Sequence, residues 1–342
     1  MKMTILSTGI ILLVSIVAIQ QVTSQEESHD FCWHPRHRHR HHWHRYPGHR
    51  EQWSDELKKG DVTFSICTKT QPEPRSLDPD NLEDVDDKKT IININGWKHR
   101  TTGPNSYFPN ITEAYLQKGD YNVILVHADR LMNLTEEESV TYTKPIARRV
   151  ARLIILLHRN RNVSLSNIHV VGHALGAHIG GIVGLLVYRR LNSKIYRVTA
   201  LEVSRTGFEN VSPEERLDKI DAQIVDVIHT AAGQVGLNMS VGSADFWPNG
   251  GTVPQPGCDS QSQLGMYCSH DRSIWYFIYT INSIIASLKC SSYDDFQAGK
   301  CKGNDQAYFG DNYGGVHVGD FYLDLHCENM KCKSNVESNV GS

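Results

Sequence analysis

The chain has 342 residues, of which 39% are hydrophobic and 21% are charged. These proportions are ordinary for a globular protein, and the length allows one large domain or two modest domains. The formal net charge of −3 gives no indication of nucleic-acid binding.

Residues 1–24 have the pattern of a secretory signal peptide. Lys2 supplies the positive start, residues 5–19 are mostly apolar, and small residues precede the end of the segment at Ser24. The apolar run is too short for a membrane span, and no other stretch approaches that length. We therefore predict a secreted, extracellular protein without a transmembrane segment.

Residues 25–60 are predicted to form a disordered arm, because they are rich in charge and lack apolar periodicity. Clustered imidazoles such as these can bind Zn²⁺ or Cu²⁺, and arginines beside aromatic rings can hold an anionic surface. The spacing is irregular, so a solvated tail with incidental metal affinity is the competing interpretation. Residues 31–53 of the arm contain seven histidines: His34, His37, His39, His41, His42, His44 and His49.

The next stretch alternates short β-branched runs with an amphipathic helix. A surface loop is expected around Pro72, Pro74 and the acidic residues 83–87. Strands are predicted at 62–67, 90–94, 121–127, 168–171, 196–201 and 224–229, and a helix over 143–158. This order predicts one α/β domain over 61–330 with a mostly parallel sheet, followed by a tail over 331–342.

Residues 167–181 read N-I-H-V-V-G-H-A-L-G-A-H-I-G-G. A buried strand, two glycines around three residues and a small-residue helix are the layout of a nucleophile elbow, G-x-S-x-G. The residue at the tip is Ala174, and a methyl group cannot attack a carbonyl. A glycine-rich turn without any catalytic ancestry is the alternative on this motif alone.

Further motifs appear in the chain order of an α/β hydrolase. Glu202 ends a strand in A-L-E, and His270 follows in C-S-H-D-R-S-I-W-Y-F. Together with I-N-G-W, D-F-W-P-N-G-G and F-Y-L-D, these pieces spread over residues 60–325 and resemble the animal, pancreatic-type lipase family. Only nine residues separate Cys258 from Cys268, and a lid this short resembles the phospholipase A1 and insect yolk-protein branch of that family. The resemblance implies an α/β-hydrolase fold without the C-terminal β-sandwich of larger lipases, and without a cofactor.

Carried over from that family, each motif implies a role. Ala174 stands at the nucleophile position, Glu202 at the acid position and His270 at the base position. The backbone N–H groups of Trp97 and Leu175 would form the oxyanion hole. Replacing the nucleophile costs on the order of 10⁶ in turnover.

Two further positions depart from the family pattern as well. Asn95 replaces a histidine, and residues 127–128 read His-Ala where the family has Asp-Trp. Because several site positions differ together, drift of the whole site is favoured over one accidental change.

Eight cysteines and five glycosylation sequons fit an extracellular protein. The resemblance implies a bridge Cys258–Cys268 that closes a short lid, and a bridge Cys290–Cys301. Cys327–Cys332 is a plausible local pair, and elimination leaves Cys32–Cys67. The sequons begin at Asn110, Asn133, Asn162, Asn210 and Asn238, which are expected in exposed loops.

Three functions compete at this point. The first is a catalytically inactive lipase-fold protein that binds or carries lipid, or serves as a yolk- or fluid-type extracellular protein. The second is an ester hydrolase of weak or unconventional activity, using water activated at His270 or another hydroxyl such as that of Ser204. The third is a metal- or anion-binding protein that acts through the arm. The ligand and the oligomeric state are not determined by the sequence.

Overall fold

The computed structural model describes residues 57–83, 85–103, 106–259, 262–328 and 331–336. The predicted signal peptide, nearly all of the arm and the end of the chain lie outside these ranges. All six predicted strands are present, and the described ranges add seven more. In chain order the strands are β1 (Thr63–Thr68), β2 (Gln71–Leu77), β3 (Lys89–Ile94), β4 (Tyr121–His127), β5 (Ile168–Ala174), β6 (Arg197–Val203), β7 (Ile224–Ile228), β8 (Ala244–Pro248), β9 (Ala286–Lys289), β10 (Gln306–Tyr308), β11 (Gly319–Leu323), β12 (Leu325–Glu328) and β13 (Lys331–Ser334).

Strands β1 to β11 form one sheet in the order β10-β9-β11-β8-β7-β6-β5-β3-β4-β1-β2. The seven neighbouring strands from β11 to β4 are parallel, and antiparallel pairs flank them on both sides. The central strands are almost continuously apolar and buried, as expected for parallel strands that are covered on both faces. The α/β-hydrolase prediction of a mostly parallel central sheet is therefore confirmed.

Helices cover both faces of this sheet. In chain order they are α1 (Phe108–Lys118), α2 (Asp129–Met132), α3 (Glu136–Thr141), α4 (Thr143–Arg161), α5 (Leu175–Leu191), α6 (Gln263–Ile281) and α7 (Tyr293–Gln297). Side chains of α4 and α5 form one core with the sheet, and side chains of α1 and α6 form another. Successive strand residues alternate between the two cores, because neighbouring side chains of a strand point to opposite faces. Ile92 joins the first core and Ile91 the second.

The predicted helix over 143–158 is α4, which continues to Arg161. Pro145 lies in the first turn, where the missing N–H has no intrahelical partner to lose. The predicted apolar face is buried at Ile146, Val150, Leu153, Ile154 and Leu157. Asn162 ends the helix in the left-handed conformation, with a φ of 57°.

Two predictions about the local fold were wrong. The stretch around Pro72 and Pro74 is not a loop but strand β2. Prolines are tolerated in this strand because β2 is the edge of the sheet, where part of the backbone N–H groups have no partner strand. The domain also does not stop at residue 330, because β13 pairs with β12 across the proposed boundary.

Three of the four expected disulfide bridges are formed: Cys258–Cys268, Cys290–Cys301 and Cys327–Cys332. Cys67 carries a buried thiol without a disulfide partner among the described residues. Its expected partner Cys32 lies outside the described ranges, so the Cys32–Cys67 pairing stays a prediction. Burial is the main cause that raises the pKa of the Cys67 thiol to about 11, and Glu73 adds to the shift. Disulfides of this number fit an extracellular protein.

Four of the sequon asparagines are exposed: Asn133, Asn162, Asn210 and Asn238. Asn110 differs from the expectation of an exposed loop, since it lies half-buried in the first turn of α1 and its sequon threonine, Thr112, is buried. Within the part of the chain that the structure describes, no helix is both long and apolar enough to cross a membrane.

Candidate active site

Ala174 occupies the apex of the turn between β5 and α5, with φ 52° and ψ −114°. This is a sparsely populated conformation for a residue with a side chain, and such strain is characteristic of a nucleophile elbow. The turn also requires its glycines. A Cβ on Gly172 would lie 2.2 Å from the carbonyl oxygen of Gly176, and a Cβ on Gly176 would lie 2.3 Å from that of Ile94. The local sequence therefore builds the elbow as predicted, with a methyl group at its tip.

A cavity of about 340 Å³ opens beside this methyl group. Its wall combines the elbow, the loop after β3, the residues after β6 and the first half of α6. The carboxyl ends of neighbouring parallel strands meet at one edge of the sheet, which is why distant chain segments converge here. The lining residues are Trp97, Lys98, His99, Glu136, Ala174, Ser204, Val235, Tyr267, His270 and Asp271.

His270 lies on α6 and contributes to the same cavity as Ala174. Its imidazole is 7% exposed, and its Nδ1 atom has no hydrogen-bond partner among the described residues. Burial is the main cause that lowers the pKa of His270 to about 4; nearby Asp271 opposes this shift and His99 reinforces it. The ring is therefore neutral near pH 7 and can accept a proton, as a general base must.

Glu202 lies near the end of β6, buried and with a φ of 45°. Its Oε2 atom accepts hydrogen bonds from the backbone N–H and the hydroxyl of Thr230 and from the N–H of Ala231, the last at 2.7 Å. Burial, which is only partly offset by His229 and these hydrogen bonds, raises the pKa of Glu202. In the described ranges no hydrogen bond joins Glu202 to His270: Oε2 is held by the loop after β7, whereas Oε1, like His270 Nδ1, has no hydrogen-bond partner.

The two residues predicted for the oxyanion hole flank the elbow. Trp97 follows β3 and lines the cavity, where its indole N–H donates to the carbonyl of Leu134 at 2.9 Å. Leu175 is the first residue of α5, so its N–H belongs to the first turn, whose N–H groups have no partner within the helix. Asn95 is buried and donates from its side chain to the carbonyl of His99, while its Oδ1 lacks a partner among the described residues.

His127 does not line this cavity. Its Nε2 atom lies 2.7 Å from the Ser65 hydroxyl and its Nδ1 atom 2.8 Å from the Thr101 hydroxyl. Thr101 in turn donates to Asp129 at 2.8 Å. Burial lowers the pKa of His127. The His-Ala pair that departs from the family pattern therefore belongs to a hydrogen-bonded chain at the end of β4 and not to the wall beside Ala174.

Three site residues were not singled out from the sequence: His99, His173 and Asp271. The last two stand inside quoted motifs, beside Ala174 and His270 respectively. His173 is fully buried, and its ring centroid lies 4.8 Å from that of His99 and 4.5 Å from that of His270. No local pattern marks His99, because only the folded chain brings the loop after β3 against the elbow and α6.

Comparison with known proteins identifies the family. A family profile described as Lipase matches residues 37–326. The chain belongs to the animal, pancreatic-type lipase family.

Individual relatives within the lipase family are moderately similar. Lipase member H-B from Xenopus laevis is 36% identical over 220 residues, which is 63% of this chain and 46% of that protein. Human lipoprotein lipase is 36% identical over 238 residues, covering 62% of this chain and 48% of that protein. The lipase-family chain described here therefore matches about half the length of these relatives.

Among solved structures, the α/β-hydrolase enzyme MGS-M1 from a deep-sea metagenome library has a TM-score of 0.32 and 13% identity, covering 54% of this chain and 70% of that one. The α/β-hydrolase assignment of this lipase-family member rests on its own strand order and its elbow.

Proposed function

We propose that this chain is a secreted, catalytically inactive member of the lipase family that binds an apolar ligand in the cavity above Ala174. The observation that carries the proposal is Ala174 itself, at the strained apex of the elbow. Positive φ at a residue with a Cβ costs on the order of 1–3 kcal/mol and persists where the surrounding structure enforces it. The frame that would present a nucleophile is thus kept, while the atom that would attack is absent.

The arrangement of Glu202 supports the same conclusion. A catalytic histidine needs a carboxylate that fixes its tautomer and stabilises its charged form. The Glu202 carboxylate is instead bonded to Thr230 and Ala231, and His270 Nδ1 has no partner in the described ranges. Both the nucleophile and the orientation of the base would therefore have to be restored for efficient hydrolysis.

An apolar ligand suits the residues around the cavity. Trp97, Val235 and Tyr267 present apolar surface to it beside the Ala174 methyl. Leu264, at the start of α6 and inside the loop closed by Cys258–Cys268, is 82% exposed. A large exposed apolar side chain on the lid is expected where a protein meets an acyl chain or a lipid surface.

The experiment is mass spectrometry of lipids that co-purify with the protein from its native source, followed by binding of a fluorescent fatty acid. Val235→Trp fills the cavity and should abolish binding. Val318→Trp, at a residue that is 55% exposed and does not line the cavity, is the matched control. Equal binding by both variants would contradict the proposed ligand site.

A second candidate function is slow ester hydrolysis. Ser204 and His270 line the same cavity, so a hydroxyl other than that of the elbow stands near a neutral imidazole. Hydrolysis of a p-nitrophenyl ester and of a phospholipid should be compared for the wild type, Ser204→Ala and His270→Ala. Turnover that both substitutions abolish, together with labelling by a fluorophosphonate probe, would favour this function over the first.

The arm supports a third proposal, metal or anion binding, whose residues lie outside the described ranges. Titration calorimetry with Zn²⁺ on the full chain, with and without the five histidines His37, His39, His41, His42 and His44 replaced by Ala, tests it. Equal heats would reject binding by the arm.

Secretion and N-glycosylation complete the proposal: the secreted protein should begin after residue 24 and lose mass on removal of N-glycans.

A further inference from the structure

Three side chains of types that can bind a metal ion converge from distant segments, and two of them, His99 and Asp271, line the cavity. His99 comes from the loop after β3, His173 from β5 and Asp271 from α6. One ligand atom from each lies within 4.8 Å of the others. His99 Nε2 is 3.2 Å from Asp271 Oδ1, and His173 Nε2 is 4.0 Å from the same oxygen. Their convergence is a product of the tertiary structure.

Two of the converging groups lack a well-formed hydrogen bond. His173 is fully buried, and its ring approaches the backbone of His270 without making a hydrogen bond of good geometry. Asp271 Oδ1 is also unbonded, because its approach to His99 lacks the geometry of a hydrogen bond. Buried polar groups are nearly always paired, so two unpaired groups aimed at one point call for a missing ligand.

The orientation of His99 suits metal binding. Its Nδ1 atom lies 3.3 Å from the carbonyl oxygen of Trp97. An N–H donated to that carbonyl leaves the lone pair on Nε2, the atom that faces Asp271. A histidine whose second nitrogen is held by a backbone carbonyl is the usual arrangement of a metal ligand, because the bond fixes the tautomer and the ring.

We propose that His99, His173 and Asp271 bind a divalent transition-metal ion of the Zn²⁺ class at the wall of the cavity beside Ala174. Metal–ligand bonds of about 2.0–2.1 Å in a tetrahedral site place the ligand atoms roughly 3.3 Å apart. The distance between His99 and Asp271 already meets this value. His173, which lies 4.0 Å from Asp271 in a cluster whose ligand atoms are within 4.8 Å of one another, would have to move toward both partners when the ion binds.

The chemistry of the ligands selects the class of ion. Two imidazoles and one carboxylate suit Zn²⁺ and its neighbours, whereas Ca²⁺ and Mg²⁺ prefer sites made only of oxygen. Three protein ligands leave a fourth coordination position on the ion. Because His99 and Asp271 line the cavity, this position faces the cavity. That position is open to water or to an anionic head group of the bound ligand. The alternative is a plain ion pair between a charged His99 and Asp271, with no metal.

The test measures Zn²⁺ binding to the full chain by equilibrium dialysis. All arm histidines are first replaced by Ala so that the arm does not contribute: His29, His34, His37, His39, His41, His42, His44 and His49. His99→Ala and Asp271→Asn are introduced singly into this background. His317→Ala removes a half-buried histidine that also lies near a carboxylate, at Asp305, and serves as the matched control. Circular dichroism verifies that each variant is folded.

We expect one Zn²⁺ per chain, affinity lowered at least about 100-fold by either ligand substitution, and no change with His317→Ala. Co²⁺ in place of Zn²⁺ should give the visible absorption of a four-coordinate site, and His99→Ala should remove it. No binding in the arm-substituted background would establish the plain ion pair and overturn the proposal. Affinity in the His99→Ala and Asp271→Asn variants that equals that of the arm-substituted protein with both ligands intact would overturn it as well.

Discussion

The carboxylate of Glu202 accepts a hydrogen bond from the backbone N–H of Ala231 at 2.7 Å. This bond directs the side chain into the loop after β7. The neutral His270 beside the cavity is left without a carboxylate partner in the described ranges. The proposed loss of catalysis therefore has two parts, the missing hydroxyl at Ala174 and the missing orientation of the base.

Restoring only the hydroxyl should give a weak enzyme. Ala174→Ser should raise p-nitrophenyl butyrate hydrolysis above the wild type and allow labelling by a fluorophosphonate probe. Its turnover should stay on the order of 10⁴ below that of a complete triad, the cost of losing the group that orients the histidine. Adding Glu202→Asp, which shortens the side chain, should raise the rate further. Activity that survives His270→Ala in the same background would contradict the assignment of the base.

The longer side chain of Glu202 depends on a glycine opposite to it. A Cβ on Gly236 would lie 1.5 Å from Glu202 Oε1, so Gly236→Ala should destabilise the fold by about 1–3 kcal/mol through overpacking. Glu202→Asp should recover much of this loss, because it withdraws the clashing oxygen. Gly314→Ala, where a Cβ would meet no atom within 4 Å, is the control. Urea unfolding of the Gly236→Ala, Glu202→Asp, double and Gly314→Ala variants gives their free energies of unfolding relative to the wild type. If the losses of the two single variants simply add in the double variant, the contact between Gly236 and Glu202 is contradicted.

His178 should make the protein sensitive to acid. It is buried in α5, its Nε2 lies 2.8 Å from the carbonyl oxygen of Ser204, and its Nδ1 accepts from the N–H of Leu217 at 3.1 Å. Only the neutral ring can make both bonds. Burial is the main cause that lowers the pKa of His178 to about 3, with Arg216 adding to the shift and the bond to Ser204 opposing it.

The sign of this effect follows from which state binds the proton. As the pH falls below about 6.5, the unfolded chain protonates this histidine while the folded chain does not, so stability is lost down to the folded pKa. The loss from this group is about 1.4 kcal/mol per pH unit. Urea unfolding between about pH 6 and pH 4 should show a slope smaller by that amount in His178→Gln. An unchanged slope in His178→Gln would refute the prediction.

The free thiol of Cys67 should resist modification while the chain is folded. Only the thiolate reacts with alkylating reagents, and a buried thiol with its pKa raised to about 11 supplies almost none of it near neutral pH. Mass spectrometry should find Cys67 unmodified after iodoacetamide treatment of the folded protein and alkylated after unfolding without a reductant. A Cys67 peptide that remains cross-linked to Cys32 would contradict this expectation and establish the Cys32–Cys67 pairing.

Much of the fold could be read from the sequence because its signals are local. The buried strands and α4 follow from apolar periodicity, and the elbow follows from glycines at positions where any Cβ would collide with backbone. The paired cysteines close to each other in the chain were also predicted. The prolines of β2 led to the wrong prediction of a loop, because the position of a strand at the edge of the sheet is not a local property of the sequence.

The sequence by itself determined the lipase-type frame and placed an alanine where a nucleophile would stand, since both depend on residue type and spacing along a short segment. Only the tertiary structure decided where the Glu202 carboxylate points and that His99, His173 and Asp271 converge. Those outcomes depend on contacts between segments tens to more than a hundred residues apart in the chain, and no local pattern of residues encodes the side-chain directions that such contacts require.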